Sequence, residues 1–164
     1  MLFKHLQLVL ILFLAVTLPS PAAYRAPVWS TCGMAATPHP AATKAAVVIL
    51  EAGGSAVDAA VAAVFALAVV EPYHSGLGGG EFALASPAGS GEVFALDARE
   101  CAPAAATPDM FLDPITREPQ GSKSWLGGLA VGIPGSVAGR IELHRRFGKL
   151  TLKKVMEPSI RLAR

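Results

Sequence analysis

From residue 40 onward, apolar and polar positions repeat with two different periods, and each period predicts a different kind of element. Ala45, Val48, Ile49 and Ala52 fall at i, i+3, i+4 and i+7, with Lys44 and Glu51 on the opposite face. This stripe predicts an amphipathic helix, opened by Pro38 to Pro40 after a first strand-like run, because proline is tolerated in a helix's first turn. Gly53-Gly54 ends that helix, and Ser55 followed by Asp58 reads as a capping box for the next one. The second helix runs from Ala56 to about Val70 and carries no polar residue from Ala59 onward. An element apolar on nearly every side needs burial on nearly every side, so it is expected to be the central core helix of a helical hairpin. It is too short and too alanine-rich to span a membrane.

The period then changes. Pro72 stops the core helix, and Gly76, Gly78, Gly79 and Gly80 follow as a glycine turn. Glu81 to Ser86 and Val93 to Ala98 are two strand-like runs flanking a Pro/Gly/Ser loop, which predicts a β-hairpin. Met110 to Ser124 reads as a surface loop with a turn, and Gly127-Gly128 to Pro134 as another strand. A helix is expected from Gly135 or Ser136 to Phe147, with Gly148 as its stop. Leu152 to Met156 starts one more helical segment, and Pro158 is expected to begin a new helix. The glycine cluster is not a nucleotide-binding fingerprint, which requires a strand before the glycines and a helix after them. Here the order is helix, glycines, strand.

The first residues have a different composition. Lys4 and His5 precede an apolar run from Leu6 to Leu18, and Pro19 to Ala23 are small or proline. That order is expected of a secretory signal peptide covering residues 1–23, cleaved after Ala22 or Ala23, with an uncleaved anchor as the alternative. Residues 24–164 would be the exported domain, periplasmic or secreted. In an oxidising compartment Cys32 and Cys101 could pair or remain free thiols; their spacing fits neither a metal nor a redox motif.

At 52% hydrophobic and 16% charged residues the chain can bury a core and is expected to be globular. A formal charge of +2 without a clustered basic face gives no reason to expect a nucleic-acid partner. Arg145-Arg146 and Lys153-Lys154 read as solvated helix faces. His5, His39, His74 and His144 show no ligand spacing, so neither a metal nor another cofactor is expected. His74-Ser75 is a turn rather than a base and nucleophile, since no G-x-S-x-G elbow surrounds Ser75. Arg99 stands out. It follows the second strand, between Asp97 and Glu100, and its planar fork suits either an intramolecular pair with those carboxylates or the carboxylate of an amino-acid-like ligand.

Several blocks taken together resemble one family. They are Gly53-Gly54-Ser55-Ala56-Val57-Asp58, Val70-Glu71-Pro72, Ser75-Gly76-Leu77-Gly78-Gly79-Gly80, Leu96-Asp97-Ala98-Arg99-Glu100 with Ala102-Pro103, and Gly132-Ile133-Pro134-Gly135-Ser136-Val137-Ala138-Gly139. In this order and spacing the chain resembles, from about Ala35 to Ala163, the amino-terminal part of the large subunit of the γ-glutamyltranspeptidases, also called glutathione hydrolases. The resemblance implies an α+β fold, part of the αββα sandwich of N-terminal-nucleophile hydrolases, truncated at its carboxyl end. It implies transfer of the γ-glutamyl group of glutathione-like compounds to water or an amino acid. The nucleophile is then the N-terminal Thr of a small subunit released by self-cleavage, so no catalytic residue lies in this chain. Arg99 occupies the position whose guanidinium contacts the substrate's α-carboxylate. Glu81 departs from the pattern, which usually has an apolar residue there, and is expected at a strand end or facing solvent. A related acylase acting on glutaryl-cephalosporin side chains, or a catalytically silent binding or structural domain, are the alternatives.

Overall fold

The computed structural model describes residues 27–164; the signal-peptide expectation, residues 1–23, lies outside them. Residues 27–32 are irregular and exposed. Residues 33–164 form one compact unit.

Helix α1 (Pro40–Glu51) opens with the Nδ1 of His39 accepting a hydrogen bond from the backbone N–H of Ala41 at 3.1 Å. The strand-like run expected before it is irregular. Gly53, at φ 84°, makes the left-handed turn that ends this helix, a conformation a Cβ would strain. Helix α2 (Ala56–Val70) starts at Ser55 with the expected capping box, in which Ser55 Oγ accepts from Asp58 N and Asp58 Oδ2 accepts from Ser55 N. Ala46, Ile49, Val61, Ala62 and Phe65 form one buried cluster between α1 and α2, and Ala42, Ala45, Ala66 and Leu67 a second. Alanines alternate with larger residues at this seam, so the two helices can approach closely and still exclude water.

A single turn, α3 (Pro72–Ser75), leads into the glycines. Strands β1 (Glu81–Ala85) and β2 (Phe94–Ala98) pair antiparallel with Glu81 opposite Ala98 and Ala85 opposite Phe94. One face of the hairpin, carrying Ala85 and Ala98, is buried; the other leaves Phe82 and Leu84 exposed. Helix α4 (Ser136–Phe147) packs on β2 and α2, and helix α5 (Leu152–Leu162) packs chiefly on α2.

Two further sequence expectations need correcting. Gly127 to Pro134 is not a strand: Gly127 has φ 89°, Gly128–Ala130 is a 3-10 turn, and only Ile133 pairs, in an isolated bridge with Cys101. The positive φ and the tight turn take this segment off a pleated path before it can form a ladder. Nor does Pro158 begin a helix. It lies inside α5, which runs unbroken from Leu152 to Leu162. Val155, Pro158 and Ser159 are buried, and Ser159 Oγ donates to Ala62 O at 3.4 Å. Packing on the core helix outweighs the hydrogen bond that proline removes.

Cys32 and Cys101 are both exposed free thiols. Glu142 gathers Arg145 and Arg146, and Glu157 gathers Lys154 and Arg161, so the basic pairs lie on solvated helix faces as expected.

Candidate functional site

The site is built where β2 ends. Asp97 Oδ1 accepts from the backbone N–H of Arg99 at 2.9 Å, a local turn that directs the chain out of the strand. Beyond it, Cys101 and Ile133 exchange two backbone hydrogen bonds, of 3.1 and 2.8 Å. Arg99 and Glu100 are thus held between a strand end and a two-residue bridge.

Glycine makes the close approaches possible. A Cβ on Gly80 would stand 2.5 Å from Glu100 Oε2 and 2.8 Å from Arg99 Cα, and one on Gly132 would stand 3.0 Å from Glu100 Cβ. Helix α4 seals the site from behind. Gly79 O accepts from the N–H groups of Gly135 and Ser136 at 3.2 and 3.0 Å, satisfying two donors at the helix start. Gly139 lies so close to Ala98 that a Cβ would stand 2.5 Å from the alanine methyl.

Arg99 Nε donates to Glu100 Oε2 at 3.2 Å, and the guanidinium carbon lies 5.8 Å from the centre of the Phe82 ring. The arginine side chain remains 65% exposed, so this pair contributes little to folding stability. Its Nη1 and Nη2 edge makes no hydrogen bond to another described residue, which leaves two parallel donors for a carboxylate. Glu100's own backbone N–H, and after it the Gly80 N–H and the Arg99 charge, hold the Glu100 carboxyl below the usual carboxylate range against the pull of desolvation. Glu100 is therefore the anchor, tying the arginine to the glycine turn. Arg99, Glu100 and Cys101 line an open cleft of about 440 Å³ together with the apolar Met110, Phe111, Leu129 and Val131.

Of the other residues weighed in the sequence, His74 and Ser75 belong to the α3 turn, their N–H groups bonded to Glu71 O. His144 lies elsewhere, with Nε2 2.9 Å from Leu150 O and 3.5 Å from Asp58 Oδ1. Among the described residues, no three His, Cys, Asp or Glu side chains gather as a metal centre requires.

One pairing was missed in the sequence. Glu81 does stand at a strand end, but it does not face solvent: its Oε2 accepts from Arg140 Nε at 2.9 Å, with the two side chains 18% and 4% exposed. The available signal was the helical period of α4, which puts Arg140 on the same buried face as Ser136 and Gly139.

The chain is similar to known proteins over most of its described length. A family model described as gamma-glutamyltranspeptidase matches residues 42–164, from helix α1 through the hairpin to the end of α5. The glutathione hydrolase proenzyme of Escherichia coli (strain K12) is 46% identical over 138 residues, which cover 84% of this chain and 23% of that protein. A solved structure of gamma-glutamyltranspeptidase from Helicobacter pylori superposes with a TM-score of 0.79 at 44% identity, covering 84% of this chain and 39% of that one. Cephalosporin acylase from Bacillus halodurans is more distant, at 31% identity and a TM-score of 0.64 over 87% of this chain and 26% of that one. The chain thus spans less than half the length of each of these relatives, and its mixed helices and strands are one part of the N-terminal-nucleophile sandwich. With the core helix, the glycine turn and the Arg99 strand end all inside the matched residues, the chain belongs to the γ-glutamyltranspeptidase family.

Proposed function

We propose that this chain supplies the amino-terminal part of the large subunit of a γ-glutamyltransferase or glutathione hydrolase, and that Arg99 grips the α-carboxylate of the γ-glutamyl donor. The observation that carries this reading is the geometry of Arg99: the Nε side of its fork bonds Glu100, while the Nη edge has no partner among the described residues and the side chain lines an open cleft. A carboxylate there would make two charge-assisted hydrogen bonds to a guanidinium already held in place. The reaction is acyl transfer. The hydroxyl of an N-terminal Thr, supplied by the small subunit, attacks the γ-carbonyl carbon; its proton passes through the Thr α-amino group to the leaving amine, and an ester remains. Water or an amino acid's amine then takes the γ-glutamyl group and returns the hydroxyl. In this reading the chain itself holds the donor and performs no bond chemistry. The protein is exported, with cleavage after Ala22 or Ala23 removing the leader; intact mass of extracytoplasmic material starting at Ala23 or Tyr24 is the expected result, and retention of Met1 to Leu18 would refute cleavage.

The test uses the processed precursor that carries this chain, with a γ-glutamyl anilide and an analogue lacking the α-carboxylate. Removing one partner of a desolvated charged pair costs about 2–5 kcal/mol, so Arg99→Ala should raise KM for the anilide by roughly 30-fold or more. The analogue should be nearly unaffected, and Arg99→Lys should recover only part, because an ammonium cannot reproduce the fork. Equal impairment on both compounds would mean that Arg99 serves the fold through Glu100. The similarity to a cephalosporin acylase supports a second reading, a glutaryl acylase, at lower identity and a lower TM-score. Preference for glutaryl over γ-glutamyl amides would favour it, and turnover of neither would favour a silent binding domain.

A further inference from the structure

We infer that Arg140 and Glu81 are a positioning pair for Arg99, a role that rests on the proposed contact between Arg99 and the donor carboxylate. Glu81 is the first residue of β1, and its cross-strand partner is Ala98, the residue immediately before Arg99. The ion pair therefore sits one residue from the arginine, on the buried side of the strand end.

Arg140 is 4% exposed, and Glu81 is its one carboxylate partner among the described residues. Its Nη1 is buried with no hydrogen-bond acceptor there, and the guanidinium carbon lies 5.2 Å from the centre of the Phe65 ring on the core helix. A buried cation with a single anionic partner holds that partner's location strongly, since moving the carboxylate away leaves the charge uncompensated. Helix α4 adds a second constraint at the same place: Gly139, the residue before Arg140, lies against Ala98, and Gly135 lies against the carbonyls of Ala98 and Arg99. The route from Arg140 to the site is short and continuous. Glu81 follows Gly80, Gly80 packs so closely on Glu100 that a Cβ there would stand 2.5 Å from Glu100 Oε2, and Glu100 Oε2 accepts from Arg99 Nε. Neither Arg140 nor Glu81 lines the cleft beside Arg99, so Arg140 acts through the placement of the strand end.

The consequence is a selective one. If Arg140 releases Glu81, the start of β1 and the end of β2 lose their common tether to α4, and the Nη edge of Arg99 moves relative to a nucleophile carried on other polypeptide. Misplacement of about 1 Å can cost up to a hundredfold in efficiency, and the cost falls on substrates that use Arg99.

The test is a double-mutant cycle in the processed precursor, read with the same two donors. Arg140→Met should raise KM for the γ-glutamyl anilide by about tenfold or more while leaving the analogue without an α-carboxylate within about twofold, and Glu81→Gln should do the same. In an Arg99→Ala background, Arg140→Met should add almost nothing. Arg140→Lys, which keeps the charge, should raise KM for the anilide by a smaller factor and leave the analogue within about twofold, a readout that stands if the methionine variant does not fold. If Arg99→Ala discriminates between the donors but Arg140→Met and Arg140→Lys impair both equally, or lower only the melting temperature, the positioning role is refuted and the contact of Arg99 with the carboxylate stands. If Arg99→Ala itself fails to discriminate, the underlying reading fails first.

Discussion

Asp58 and Lys149, 91 residues apart, are joined by a 2.8 Å hydrogen bond from the lysine backbone N–H to Asp58 Oδ2. The same oxygen accepts from Ser55 N and Leu150 N, at 2.9 and 3.2 Å. A residue expected only to cap α2 thus also fastens the turn between α4 and α5 to the start of the core helix, with its side chain fully buried. Asp58→Ala would leave three N–H groups without their acceptor, at a cost of about 2–4 kcal/mol. Chemical denaturation should show a lower midpoint with Asp58→Ala than with Asp58→Asn, which keeps an acceptor oxygen. Equal midpoints would mean that the long-range bonds contribute nothing.

Acid should undo the same contact. Burial acts to raise the Asp58 pKa, but the N–H groups of Lys149, Ser55 and Leu150 outweigh it and hold the carboxyl below its ordinary 3.8. A folded-state value below the unfolded one means stability that is fully present above about pH 4 and is lost as pH falls through the lowered value. The stability gap between wild type and Asp58→Asn should therefore be constant from pH 5 to 7 and narrow below about pH 4. A gap that widens in acid would contradict the sign.

Gly80 and Gly78 belong to one cluster but should respond differently to alanine. A Cβ at Gly80 meets Glu100 Oε2 and the Arg99 backbone, whereas one at Gly78 meets nothing within 4 Å. Gly80→Ala should cost about 1–3 kcal/mol by overpacking and displace Glu100, while Gly78→Ala should be close to neutral. Thermal melts of the two variants decide this, and equal melting temperatures would remove the steric argument.

The hairpin leaves an apolar face open, with Phe82 66% and Leu84 78% exposed on a sheet of two strands among the described residues. Two-stranded sheets with free edges are marginal and associate readily. The 24–164 chain alone should bind hydrophobic dyes and aggregate, and Leu84→Ser should reduce both without lowering its melting temperature. A monomeric chain that melts cooperatively and binds no dye would show that this face needs no cover.

What was legible in the sequence was local. The capping box of Ser55 and Asp58, the all-apolar core helix and the register-free outline of the hairpin all follow from contacts within a few residues, where spacing and side-chain chemistry suffice. The failures were places where distant packing overrode a local rule. Pro158 ordinarily interrupts a helix, yet α5 continues through it because Val155, Pro158 and Ser159 are buried together. The strand expected near Leu129 had suitable residues but, among the described residues, a single bridge partner, Cys101 for Ile133.

The site divides along the same line. Sequence by itself singled out Arg99 as the candidate for holding a carboxylate, because a guanidinium beside a strand end and the family motif around it are both properties of consecutive residues. It left open whether Arg99 was spoken for by Asp97 or Glu100. Tertiary structure decided that Asp97 bonds the Arg99 backbone, that Glu100 takes only the Nε side of its fork, and that Glu81 belongs to Arg140, 59 residues away. The physical reason is that a charge's partner is set by distance and burial in three dimensions, and glycines at 80, 132, 135 and 139 bring these segments closer than side chains would allow.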